Sequence, residues 1–180
     1  MKVRHLVAAA MAFVVTPTAQ AQGADADLGT PVNQPGTNWT VYGQLADQRP
    51  VKDAEVNGGY ALKVTVRSKG ANAWDVGASS PVQKAINKGD RLLLAFYARA
   101  PAAAEGATVK LPAMVQLATG PFTPVIQGTV EVGPKWALVH VMGKADKDYP
   151  AGSVQVMTQL AGDKQVIELG PVYVFDKPAG

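Results

Sequence analysis

Apolar and polar residues alternate along much of the chain with a period of two. From Tyr60 to Arg67, Leu62, Val64 and Val66 point one way while Lys63, Thr65 and Arg67 point the other. Successive side chains of a strand leave opposite faces, so this pattern predicts a strand with one face in a core. The same alternation returns at Val109, Leu111, Ala113, Val115 and Leu117, opposed by Lys110, Met114 and Gln116. It returns again at Val154, Val156 and Leu160, opposed by Gln155, Met157 and Gln159. Arg91 to Ala100 is too apolar and too short for an amphipathic helix, and predicts a buried strand whose polar end carries Tyr97 and Arg99 on one face.

Further strands are expected at Asn38–Tyr42, with Trp39 and Val41 sharing a face, at Ile126–Val132, and at Trp136–Met142. Gln165–Leu169 and Val172–Phe175 flank Gly170-Pro171, which predicts a kink or bulge in one strand. Pro112 predicts an edge position or a bulge, because proline lacks the N–H that a central ladder needs. Between these runs lie turn signals: Asn57-Gly58-Gly59, Lys88-Gly89-Asp90, Gly133-Pro134 and Pro150-Ala151-Gly152. Gln44 to Gly59 is polar and irregular, and Asn72 to Pro81 reads as a Gly/Ser/Pro-bounded loop carrying Trp74 and Asp75. About eight to ten short strands with no convincing helix predict an all-β, antiparallel β-sandwich of jelly-roll type in a single domain.

The first residues change the domain boundaries. Met1–His5 is a short basic start, Leu6–Val15 is apolar, and Ala19-Gln20-Ala21 is a small-x-small cleavage site. Residues 1–21 therefore read as a secretory signal peptide whose apolar run is too short to span a bilayer. The expected product is exported, periplasmic or secreted. Residues 22–36 are Gly, Asp, Ala, Pro and Asn without period and read as a flexible lead-in, leaving 37–180 as the folded domain.

Composition mostly excludes. The formal net charge is +3, and Lys2 and Arg4 of that total fall in the leader, so the rest is almost neutral. No basic cluster interleaved with aromatics suggests nucleic acid, and nothing after the leader suggests membrane insertion. There are no cysteines, so an exported fold must rest on its apolar core, with or without a bound ion.

Catalytic chemistry finds little support. Past the leader only His140 remains, set mid-strand between valines, where a hydrogen-bonded strand histidine is a simpler reading than a catalytic base, and one His without Cys cannot make a zinc site. A glycosidase needs two carboxyl groups across a cleft. Most acids here fall in turns; Glu131 and Glu168 lie in strands with apolar neighbours and no visible partner.

Binding is better supplied. Sugar rings offer C–H faces that pack on aromatics, and hydroxyls that pair with amides and charged groups. Trp74, in a polar loop, is either a stacking surface or a plug for the end of the sandwich. Trp39 and Trp136 share faces with valine and leucine and are expected in the core. Asp75, Arg99, Gln116 and Gln159 are candidates for hydroxyl contacts, and Tyr97 for lining the cleft.

The order Trp74-Asp75-Val76, Lys88-Gly89-Asp90, Leu92–Phe96 and Ala98-Arg99-Ala100 resembles the jelly-roll carbohydrate-binding modules of the cellulose- and xylan-binding type. These have a galactose-binding-like fold and are attached to secreted glycoside hydrolases. Tyr60–Val66, Trp136 and Gln165–Val172 extend the resemblance from about Trp39 to Phe175. The resemblance implies non-catalytic polysaccharide binding in a concave cleft, a secreted glycan-degrading enzyme as partner, and no cofactor beyond a structural calcium ion. Calcium takes hard oxygen ligands, for which Asp176 and loop carbonyls are the candidates. Two other classes remain open from the residues: a structural or protein-interaction domain of the cell envelope, and a small polysaccharide hydrolase or lyase.

Overall fold

The computed structural model describes residues 28–177, which form two antiparallel sheets packed face to face. The leader expected at 1–21 lies outside the described residues. Eleven strands are present among the described residues. The first five are β1 (Thr30–Pro31), β2 (Thr40–Tyr42), β3 (Ala46–Lys52), β4 (Tyr60–Val66) and β5 (Gly77–Pro81). β6 (Arg91–Arg99), β7 (Val109–Leu117), β8 (Pro124–Val132), β9 (Ala137–Lys144), β10 (Val154–Gln159) and β11 (Gln165–Lys177) complete the set. One sheet runs β3-β4-β11-β6-β9, with β1 also on β11; the other runs β2-β5-β10-β7-β8. No described helix is long and apolar enough to cross a membrane.

The alternation read from the sequence sets the inner faces. Val64, Val66, Leu94, Phe96, Ile167, Leu169, Val172 and Val174 from one sheet meet Leu111, Ala113, Val115, Val154 and Val156 from the other. Burying a side chain of this kind contributes roughly 1.5–3 kcal/mol, and with no disulfide this layer carries the fold. Trp39 lies in it as expected, edge-on to Phe96 at 5.6 Å, its indole N–H donating to the Gly170 carbonyl at 2.7 Å.

Several expectations need correction. The described part of the expected lead-in, 28–36, is built into the domain: β1 pairs with Phe175 and Asp176, Val32 and Asn33 are buried, and Gly36 bridges Val172. Asn33 fixes this strap by accepting from the Val174 N–H at 2.7 Å and donating to the Val172 carbonyl at 3.0 Å. The irregular stretch after Gln44 contains β3, an edge strand whose mostly exposed residues have no apolar face to alternate. The Trp74 loop is shorter than expected, because Gly77–Pro81 is an interior strand. Its small residues carry no β signal; the space decides, since a Cβ on Gly77 would stand 2.6 Å from the Tyr42 ring. Pro112 is in an interior strand, one residue past Ala113, the last position paired with β10. There it is locally at an edge. Gly170-Pro171 does mark a bulge within one continuous β11.

Trp136 is not in the core. It precedes β9 on the outer face of the six-stranded sheet, half-buried, donating to Asp53 Oδ2 at 3.1 Å with Arg99 over its ring at 4.8 Å. A tryptophan keeps its N–H satisfied more cheaply there than among valines.

Candidate functional site

Cross-strand pairing lays polar and apolar side chains in rows across the outer face of the five-stranded sheet. Gln155 of β10 lies between Gln116 of β7 and Pro81 of β5. Met157 lies between Met114 and Ser79, and Gln159 opposite Gly77, which in turn faces Tyr42. Gln127 of β8 stands beside Met114. Together they floor a groove of about 810 Å³. The two methionines form an apolar centre and the glutamines a frame of amides, each with donors and an acceptor.

An exposed ring stands at each end. Trp74 lies on a short 3-10 turn, Ala73–Asp75, just before β5, and is 57% exposed. The turn is pinned beside the end of β10 by Ala161 N–H to the Ala73 carbonyl and Leu160 N–H to the Val76 carbonyl. Phe122, 53% exposed, sits in the β7–β8 connection at φ 56°, in a left-handed region non-glycine residues seldom enter. Its loop is held beside the start of β10 by Ala118 N–H to the Ser153 carbonyl. Along the floor between them, Gln155 and Gln159 stand four residues apart, about 13 Å at a rise of about 3.3 Å per residue. Among the described residues, no Asp, Glu, Lys or Arg lines the groove. Tyr42, at its wall, has its phenol pushed above the ordinary value by burial and, less, by the nearby Asp75 carboxylate.

Of the residues expected to act together, Trp74, Gln116 and Gln159 meet in this groove. Asp75 does not line it; its carboxylate accepts from the Asn72 N–H at 2.9 Å and so holds the turn that presents Trp74. Tyr97 and Arg99 lie on the opposite face of the sandwich, the outside of the six-stranded sheet. Arg99 is committed there: it bonds Glu168 through Nε and Nη2, each at 2.7 Å, and Asp53 through Nη2 at 2.6 Å. Glu168, without a visible partner in the sequence, thus has Arg99 and also Lys63 at 3.6 Å. The Glu55 N–H, then the Trp136 indole and the Arg99 charge, hold the Asp53 carboxyl below the usual range.

Sequence reasoning missed Phe122, Tyr42, Gln127 and the two methionines as groove residues. Phe122 had a usable signal, an aromatic flanked by Gly120-Pro121 and Thr123-Pro124, where burial is hard to arrange. The methionines had none; their alternation marks a face without saying which ligand it meets.

Asp176 is buried, its Oδ1 has no hydrogen-bond partner, and burial first, then the adjacent Asp90 carboxyl, pushes it up to about 6. Two apposed carboxylates with an orphaned oxygen are hard donors of the kind calcium takes. No group of three His, Cys, Asp or Glu side chains is poised for a metal among the described residues, so backbone carbonyls or water would have to complete the shell.

No family model matches the sequence, and no curated protein matches it. Solved structures do share the fold. The CBM22-1 xylan-binding domain from Paenibacillus barcinonensis Xyn10C superposes with a TM-score of 0.60 at 16% identity, over 84% of this chain and 97% of that one. The N-terminal cellulose-binding domain of Cellulomonas fimi β-1,4-glucanase C gives 0.56 at 21%, over 83% and 99%. An arabinose-bound MgGH51 α-L-arabinofuranosidase gives 0.62 at 16%, over 84% of this chain, which spans only 27% of that enzyme. The likeness is one of fold, an antiparallel β-sandwich shared with these domains.

Proposed function

We propose that this chain is a non-catalytic carbohydrate-binding module that takes an uncharged polysaccharide into the groove on the five-stranded sheet. The observation that carries this reading is the make-up of that groove: an exposed aromatic ring at each end, an amide-framed floor and, among the described residues, no charged lining residue. Trp74 and Phe122 offer faces for sugar C–H surfaces, and Gln116, Gln127, Gln155 and Gln159 offer paired donors and acceptors to hydroxyls. Polymers rich in uronate or sulfate would find no cation to meet their charge. Hydrolysis or elimination would need carboxyl groups beside the bound sugar, and the described residues of the groove supply none.

The likeness in fold to a xylan-binding domain and a cellulose-binding domain supports the same substrate class. The module would act outside the cytoplasm, in the periplasm or beyond, alongside a glycan-degrading enzyme. Asp176 with Asp90 would hold a structural calcium ion, which stiffens the strand end without touching the sugar.

Native affinity electrophoresis through gels of xylan, β-glucan, mannan, pectin or alginate tests the reading. Retardation is expected in one or more of the neutral polymers, and to be lost in Trp74→Ala. A folded protein that runs unretarded in all of them, or is held by pectin and alginate alone, would overturn it.

A further inference from the structure

The outer face of the six-stranded sheet carries a second organised surface. Register places Arg91, Lys144 and Lys177 in one row across β9, β6 and β11. Below it come a row of Met142, Leu93 and Phe175, then His140, Ala95 and Tyr173, then Leu138 and Tyr97. The knot of Arg99, Glu168 and Asp53 closes the far end, with the Glu55 side chain 78% exposed on top of it. Met142 is 69% exposed and Leu138 51%, and the rows enclose a shallow depression of about 390 Å³. A continuous apolar sheet face of this kind marks a contact surface. Among the described residues its hydrogen-bonding side chains are Tyr97, His140 and Tyr173, and the Tyr173 hydroxyl already accepts from Asn57 at 3.2 Å.

We propose that this face is a self-complementary interface, on which a second copy of the chain packs back to back. The charge layout selects both the partner and its orientation. One end of the face holds three bases; the other has one more acid than base among Asp53, Glu55, Glu168, Arg99 and Lys63. A two-fold axis lying in the face and crossing the strands brings the Arg91–Lys144 end of each copy over the Glu55 end of the other, and makes that contact twice. An axis along the strands would stack bases on bases. The apolar rows meet each other in either case, so charge decides between them.

The face is about 26 Å long along the strands and about 19 Å across four of them, roughly 500 Å² in projection. That is less than the about 800 Å² per partner of a strong complex, so the dimer is a weak one, populated at micromolar concentrations and above. Where the groove binds a polysaccharide as proposed above, the two grooves of such a dimer face outward in opposite directions. They would bridge separate glycan chains rather than share one.

Sedimentation velocity of the protein from about 10 μM to about 1 mM, at low salt and without glycan, tests the interface apart from sugar binding. The expected result is a mass rising from monomer towards dimer, with Leu138→Asp and Met142→Glu each held at monomer while their circular dichroism and gel retardation stay unchanged. Arg91→Glu with Lys144→Glu is expected to weaken association at least tenfold, and adding Glu55→Arg to restore most of it. A monomer throughout the range would overturn the proposal, as would charge reversal that leaves association untouched.

Discussion

Gln155 of β10 stands directly opposite Gln116 of β7, both on the groove side of the five-stranded sheet. Opposed residues of neighbouring strands bring their Cβ atoms within about 5 Å, so two amides can reach one sugar unit from its two sides. Gln116 is largely buried, which fixes its rotamer before any ligand arrives. Replacing either by leucine keeps the size and removes the pairing groups. Each variant is expected to lose about tenfold in glycan affinity by isothermal titration, the effect of one net hydrogen bond, and to melt as the parent does.

The two rings should act separately. Trp74→Ala and Phe122→Ala each expose the ligand to water at one end of the groove and are expected to weaken binding by about 1–2 kcal/mol. Because the rings stand on separate loops at opposite ends of β10, the two losses should add in the double variant. A loss much smaller than the sum would mean that the rings serve the same sugar.

Arg99 is predicted to matter for stability and not for sugar. It joins Glu168, which is nearly buried, to Asp53, and it covers the Trp136 ring. Arg99→Met leaves the Glu168 carboxylate with only the more distant Lys63. Breaking a fully buried pair costs about 3–5 kcal/mol; with Arg99 partly open to solvent, a loss of about 2 kcal/mol in urea unfolding is expected. Glycan affinity should be unchanged, since the arginine lies on the other sheet.

Asp176 gives a pH signature. Its carboxyl is pushed from 3.8 up to about 6 in the folded chain, so the folded state holds the proton more tightly than the unfolded state. The stability this contributes is fully present below the unfolded value, near pH 4, and is lost as pH rises through 6. In chelator, melting temperature should fall between pH 4.5 and 7 by this contribution, and Asp176→Asn should flatten the fall. Calcium at pH 7 is expected to restore the loss in the parent, by about 2–4 °C per kcal/mol of binding linkage, and to do nothing in the asparagine variant.

How much of this was legible in the sequence depends on what set each feature. Strands β4, β7 and β10 were read directly, because one face of each packs in the core and the other does not, and a period of two records that asymmetry; β6 was read from its apolar run. β3 was not, because an edge strand with exposed residues on both faces leaves no such record. Nor was β5, whose Gly, Ala and Ser fill a narrow space under Tyr42 and were read as a loop. Residues 28–36 look featureless alone and become part of the domain through Val32, Asn33 and their pairing with β11.

The amino-acid sequence by itself determined the class of fold and the kind of residue available for binding, since alternation, turn residues and composition are local properties. It also placed Gln116 and Gln159 on the faces of their strands turned away from the core, and Trp74 where a ring is hard to bury. Which wet face each residue shares was decided only by the tertiary structure. Tyr97 and Trp74 lie 23 positions apart in a continuous stretch, yet β5 and β6 enter different sheets, and the two aromatics end on opposite sides of the molecule. A strand's pattern tells inside from outside. Only the order in which strands join two sheets tells one outside from the other, because that order is set by pairing between segments far apart in the chain.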